Sequence, residues 1–354
     1  MSQFDSDRDL SRLIALPFQR DEVESPASEG ALVLGGPGSL TLPDEIGRSS
    51  TTVVQGFRPA FNAWVSRNFT TIPEISRLDK EDRFGIVIVC LSRHRRWNEI
   101  MLADAAKRCA EGGVVIAAGS KSDGAGAIRK MLSEMLESEL SSLPKHHGMV
   151  MWFRVDEQAR VALKAMGERP PTRASEKFVT APGGFSANRI DDGSLLLVEH
   201  LPLDLSGSLA DFCAGWGYLA VEAAKRCEGL SSLDLFEADW SSLEAARSNL
   251  RSADRPAEFH WLDLANERVE GRFDVIVMNP PFHIGRAAEP AIGATLIERA
   301  SSALKPSGQL FLVANRQLPY ETVLDRFFAR NSILAETKSY KVFQASAQAS
   351  AHRR

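Results

Sequence analysis

A length of 354 residues exceeds one ordinary domain and suggests two of comparable size, each able to bury its own core. The composition, 44% hydrophobic and 25% charged, is that of an ordinary soluble protein, and a net charge of −4 excludes a strongly basic nucleic-acid binder. No stretch approaches the length of a membrane span, the first twenty residues are too charged for a signal peptide, and Cys90, Cys109, Cys213 and Cys227 show no paired metal spacing. A reducing cytoplasm and no bound metal are the expectation.

In chain order, residues 31–34 form a short apolar run that leads into Gly35-Gly36-Pro37-Gly38, read as a turn because Pro37 removes a donor. Strands are predicted over 84–91, 113–118 and 149–155, with helices over 97–110 and 125–140 between them. That βαβαβ alternation implies a parallel sheet. Basic residues gather at Arg93-His94-Arg95-Arg96, Lys145-His146-His147, Arg169 with Arg173, and His352-Arg353-Arg354. Local patches of this kind can serve a nucleic acid despite an acidic balance, with the Arg93 cluster the best candidate, although for any single one of them a solvated face is the first reading. Residues 167–184 hold Pro170, Pro171 and Pro182 among mixed charge and read as the linker, placing one domain at 1–168 and another at 169–354.

The second half carries the chemistry. Residues 209–219 run as a strand from Leu209 through Asp211 into a turn with Gly215 and Gly217, which permit a tight bend and close backbone approach to a ligand. A helix follows to Cys227. The turn lacks the third glycine of a dinucleotide fingerprint, since Ala220 stands there, and it lacks the P-loop lysine. A strand over 233–237 then ends in Glu237, an acid placed to accept from both hydroxyls of a ribose. A helix over 241–250 and a strand over 258–262 lead to Asp263, able to accept from an adenine amino group. Last, the apolar run 273–278 stops at Asn279-Pro280-Pro281-Phe282. There the Asn279 amide oxygen and the Pro280 carbonyl can accept two hydrogen bonds from one exocyclic NH2, with Phe282 offering a face for a planar base. Each acid alone reads as a loop carboxylate; four strand-end signals in series read as a site.

This series resembles the class I S-adenosylmethionine-dependent methyltransferases that act on exocyclic amines. Gly184-Phe185-Ser186, Asp192-Gly193-Ser194, Asn279-Pro280-Pro281-Phe282-His283 and the run from Val313 to Tyr320 occur in the order seen in bacterial ribosomal RNA guanine-N2 methyltransferases, a resemblance covering about 178–345. It implies an α/β fold of two Rossmann-like methyltransferase-type domains in tandem, the C-terminal one catalytic and the N-terminal one degenerate. It also implies Asn279, Pro280 and Phe282 as catalytic residues, and Asp211, Cys213, Gly215, Gly217, Glu237, Asp263 and Asn279 as cofactor-binding residues. The cofactor would be S-adenosyl-L-methionine, the partner ribosomal RNA or the small ribosomal subunit, with no membrane and a monomer expected. Cys213 departs from the family's pattern by standing where the first glycine of the turn belongs, so a weaker cofactor fit is expected. Adenine N6, a protein glutamine amide, or a non-catalytic RNA-binding scaffold are the other readings.

Overall fold

The computed structural model describes residues 3–25, 29–136, 139–168, 173–175, 177–281, 283–284, 287–288 and 290–347. The chain divides into two compact units, Met1–Pro170 and Pro171–Arg354. Residues 169–172, within the expected linker, and the terminal basic run lie outside the described residues.

The N-terminal unit contains β1 (Ala31–Leu34), β2 (Thr51–Val54), β3 (Thr70–Ile72), β4 (Phe84–Cys90), β5 (Cys109–Ser120), β6 (Ser141–Lys145) and β7 (Gly148–Arg154) in one sheet of order β3-β2-β1-β4-β5-β7-β6. Its helices are α1 (Gln3–Gln19), α2 (Arg58–Ser66), α3 (Arg95–Arg108), α4 (Ala125–Met135) and α5 (Glu157–Gly167). The expectation of a parallel sheet holds for β3 through β5 but not beyond, because β7 pairs antiparallel with both β5 and β6. The cause is local. His146 and His147 both have positive φ, 46° and 56°, the two-residue turn that matches strand twist in a hairpin, so β6 and β7 pair antiparallel, and β7 takes the place beside β5.

The C-terminal unit repeats this plan. Its strands β8 (Ser206–Phe212), β9 (Gly229–Glu237), β10 (Ala257–Trp261), β11 (Phe273–Met278), β12 (Leu304–Asn315), β13 (Arg330–Glu336) and β14 (Tyr340–Ser346) take the order β10-β9-β8-β11-β12-β14-β13. Two α/β units of one topology therefore stand in tandem. Alternation along the strands sorts the core into two layers. Leu209, Leu235, Val275 and Val277 pack with α6 (Asp192–Glu199), α7 (Tyr218–Arg226) and α8 (Trp240–Asn249) on one face. Ala210, Phe236, Ile276 and Met278 pack with α9 (Pro290–Ala303) and α10 (Tyr320–Phe327) on the other. Asp211, Glu237 and Asn279 share the odd parity of the first set, so the sheet aims all three towards the α6–α8 side.

Under the other face Tyr320 is 1% exposed and lies so close to α9 that a β-carbon at Gly293 would meet its hydroxyl at 1.7 Å. Alanine normally favours a helix over glycine by ~1 kcal/mol. Here Gly293→Ala is expected to destabilise the protein by ~1–3 kcal/mol through overpacking, measured as a shift in the urea unfolding curve. A stabilised variant would mean that α9 yields freely.

Candidate active site

The site is assembled by parallel register. Phe212 at the end of β8 lies beside Phe236 of β9 and Met278 of β11, and Glu237 lies beside Trp261 of β10. The residues just past these strands therefore reach one edge of the sheet together, where open α/β sheets bind ligands.

Asp211 is fully buried. Its Oδ2 accepts from the Ala220 amide in the first turn of α7 at 3.0 Å, which ties the strand to the helix start. Its Oδ1 is buried and has no hydrogen-bond partner among the described residues. Burial pushes the carboxyl up to about 8, with the Glu237 charge adding to the rise and the Ala220 amide opposing it.

The turn between β8 and α7 enters the left-handed region three times, at Cys213 (φ 60°), Gly215 (φ 54°) and Gly217 (φ 83°). For glycine this conformation is free; at Cys213 the β-carbon costs ~1–2 kcal/mol. A side chain at Gly217 would press on Ala246 and Leu235, whereas one at Gly215 would enter open space. Gly215 leaves room beside the turn for something else. The Cys213 thiol is raised well above its ordinary value by burial and by the charges of Glu237 and Asp211, so it stays protonated.

Glu237 braces this turn. Its Oε2 accepts from the Gly215 amide at 2.7 Å and its Oε1 from the Asp239 amide at 2.8 Å. Burial lifts it to about 7 against those two donors. Each carboxylate oxygen keeps a further lone pair for a hydroxyl donor. Asp263 is more self-contained: Oδ1 accepts from the Ala265 amide at 3.1 Å and Oδ2 from the Asn266 side chain at 2.8 Å, closing its own loop.

Asn279 is held from outside its strand. Its Nδ2 donates to Asp191 Oδ2 at 2.9 Å and to Ser194 Oγ at 2.8 Å, while Oδ1 has no partner among the described residues. A pocket follows, lined by Asp191, Ser194, Cys213, Gly215, Asn279 and Phe185 among others. Phe185 is 55% exposed, and its carbonyl accepts from Trp216 Nε1 at 3.2 Å, which fastens the 184–186 segment over the glycine turn. Pro280 is buried, and Phe282 lies outside the described residues, as does the His283 side chain. Glu237 touches the pocket wall only through Gly215, and Asp263 does not line it. Sequence reasoning did not single out Asp191 and Ser194 as site residues, although Asp192-Gly193-Ser194 was legible as a string.

The N-terminal unit lacks this chemistry at the matching places. Leu34 pairs with Val54 and Val89 as Phe212 pairs with Phe236 and Met278. By that register Val33, Gln55 and Cys90 take the places of Asp211, Glu237 and Asn279. The Gln55 amide is already engaged, Nε2 with the Gly36 carbonyl at 2.7 Å and Oε1 with the Phe57 amide at 2.8 Å. Trp64 donates to the same Gly36 carbonyl, and Trp97 sits where a β-carbon on Gly35 would be. Of the arginine cluster, Arg96 is bound to the Met166 and Gly167 carbonyls and Arg95 to Glu99, so at least those two also hold the fold.

Residues 175–344 match the model of the family described as "Methyltransferase small domain". Curated relatives named "Ribosomal RNA small subunit methyltransferase C" include one from Photorhabdus laumondii, 36% identical over 169 residues (47% of this chain and 49% of the relative), and one from Escherichia coli K12, 34% identical over 189 residues (50% and 54%). The matched part thus spans about half the length of each. A solved structure described as a T. thermophilus 16S rRNA N2 G1207 methyltransferase (RsmC) in complex with AdoMet and guanosine superposes with a TM-score of 0.78 at 23% identity, covering 96% of this chain and 92% of that one. That likeness fixes the tandem fold.

The two raised carboxyls make stability depend on pH. In the unfolded chain they lose their protons near pH 4, and in the folded chain only near about 8 and about 7. The stability they lend in acid is therefore lost as pH rises through that window. Urea unfolding free energies of the unliganded protein should carry this fall between about pH 5 and about pH 8, and Asp211→Asn should flatten it. An identical pH slope in the variant would place Asp211 in contact with water or with a compensating charge.

Proposed function

We propose, from the match of residues 175–344 to the methyltransferase small domain family, that this chain transfers a methyl group from S-adenosylmethionine to the exocyclic N2 amine of a guanine in 16S ribosomal RNA of the small subunit. The observation that carries the reading is Asn279, whose amide oxygen is left without a partner among the described residues at the strand end beside the glycine turn.

The residues present fit such a cofactor. Buried acceptors without partners are rare, and the orphaned Asp211 Oδ1 suits a cationic or N–H donor. The space at Gly215 suits close backbone approach, and Glu237 retains lone pairs for the ribose hydroxyls. Asp263 takes the adenine amino group in this reading. When bound, S-adenosylmethionine supplies a methyl carbon already activated on a sulfonium.

Little acid–base machinery is then required of the protein. Asn279 Oδ1 and the Pro280 carbonyl accept the two N–H groups of the amine, which draws its lone pair out of conjugation and fixes its direction. Asn279 is held by Asp191 and Ser194, so its oxygen stabilises the positive charge that develops on nitrogen without reorganising. The product nitrogen is acidic enough to release its proton to water. In duplex RNA this amine is stacked and paired, so the acceptor base is turned out or already single-stranded, and exposed Phe185 offers an apolar face at the pocket. The relatives' printed names support ribosomal RNA of the small subunit as the substrate.

Transfer of labelled methyl groups to undermethylated small-subunit RNA, or to the subunit itself, followed by nucleoside analysis tests the proposal. N2-methylguanosine is the expected product; methyladenosine or methylated protein would reassign the acceptor. Asn279→Ala is expected to lower kcat by ~10²–10³ while cofactor affinity changes little. Near wild-type turnover would leave Asn279 as a turn residue. Glu237→Ala should weaken cofactor binding by ~1.5–3 kcal/mol in calorimetry, the range for hydrogen bonds to a charged group. Unchanged affinity in a folded variant would move the ribose site elsewhere.

A further inference from the structure

We propose that Asp191, with Ser194, is the positioning residue of the transfer step, acting on the acceptor amine through Asn279. This rests on the functional reading above. A side-chain amide has one acceptor end and one donor end, and rotating it by half a turn exchanges them. An Asn279 that offered its NH2 to an exocyclic amine would repel it. Nothing in β11 itself chooses between the two orientations. The choice is made 88 and 85 residues earlier in the chain, at the start of α6.

The geometry leaves one answer. Asp191 is the N-cap of α6, and its Oδ2 accepts from the Ser194 amide at 2.8 Å. The same Oδ2 accepts from Asn279 Nδ2 at 2.9 Å, and Ser194 Oγ accepts from that nitrogen at 2.8 Å. Both N–H bonds of the amide are therefore used, and reversal would set Oδ1 against a carboxylate oxygen. Oδ1 is left buried and without a partner among the described residues, on a residue that lines the pocket. The charge on Asp191 does more than orient. A carboxylate accepting from an amide nitrogen favours the amide form with more electron density on oxygen, so the far end becomes a stronger acceptor.

Each residue of the string from Asp191 to Ser194 then has a reason apart from Asp192, whose side chain is exposed. Asp191 caps and orients, and Ser194, 6% exposed, supplies the second acceptor. At Gly193 a β-carbon would sit 3.0 Å from both Asp191 Oδ2 and the Tyr340 ring, so a side chain there would crowd the carboxylate.

Asp191→Asn separates orientation from folding, because asparagine caps a helix about as well as aspartate. Its neutral amide can offer NH2 to Asn279, which permits the reversed orientation. In the full-length protein, kcat should fall at least about tenfold with KM for S-adenosylmethionine within about twofold and the melting temperature little changed. Combined with Asn279→Ala, it should change the residual rate by less than about twofold, since its effect passes through the missing amide. Wild-type kcat in Asp191→Asn, or losses that simply multiply in the double variant, would overturn the proposal. Should Asp191→Asn fail to fold, Ser194→Ala removes one acceptor and leaves the cap; it should also lower kcat without raising KM, and a wild-type kcat would count against the idea. A wild-type protein that methylates no guanine would defeat the functional reading alone. The orientation is then read by NMR of the Asn279 side-chain amide: both protons exchange slowly in the wild type and at least one quickly in Ser194→Ala. Fast exchange of both in the wild type would overturn it.

Discussion

The parallel register of β8 with β9 and β11 sets Asp211 opposite Leu235 and Val277, and the remaining features of the site follow from that alignment. Once Phe212, Phe236 and Met278 end together, the turn after β8, Glu237 and Asn279 occupy one edge of the sheet. Side-chain parity then decides which layer they meet. The odd positions face α6, α7 and α8, so Asp211 finds the start of α7 and Asn279 finds the start of α6. A slip of one residue in β11 would turn Asn279 towards the α9 side and end both the hydrogen bonds to α6 and the pocket.

The same plan in the N-terminal unit shows how little separates a cradle from a filled core. Strand order and register are preserved, yet Val33 replaces an acid with a methyl-bearing side chain, and Gln55 satisfies itself against the Gly36 carbonyl. Two tryptophans close the space beside its glycine turn. In the C-terminal unit Asp211 Oδ1 and Asn279 Oδ1 remain unsatisfied within the described residues, beside two carboxyls, Asp211 and Glu237, that resist ionisation and a cysteine in a left-handed conformation. Unsatisfied groups of that kind persist where a ligand completes them.

The strand ends were legible in the sequence because each is an apolar run stopped by a residue of distinct chemistry: Asp211 before the glycines, Glu237, Asp263, and Asn279 before two prolines. Runs of this kind are read by period and by punctuation, both local properties. What could not be read locally is the Asp191–Asn279 contact, which depends on α6 packing against β12, the neighbour of β11 in the sheet. Nor could the loop around Asp263 be foreseen, where Ala265 and Asn266 engage both carboxylate oxygens. The antiparallel β7 escaped for another reason: β6 is Ser-Ser-Leu-Pro-Lys, with scant strand propensity, and its hairpin turn is made by two histidines rather than by Asn-Gly. The Arg93–Arg96 run shows what charge alone leaves unread, since part of it is employed in holding Met166, Gly167 and Glu99.

The central claim is that the amide oxygen of Asn279 receives the exocyclic amine of a guanine in small-subunit RNA. Mass-spectrometric mapping of 16S RNA from a strain lacking this protein tests it most directly, with the strain complemented by the wild type or by Asn279→Ala. The account predicts that one N2-methylguanosine is missing, returns with the wild type and stays missing with the variant. Complete guanine methylation in the deletion strain, or full restoration by Asn279→Ala, would contradict it.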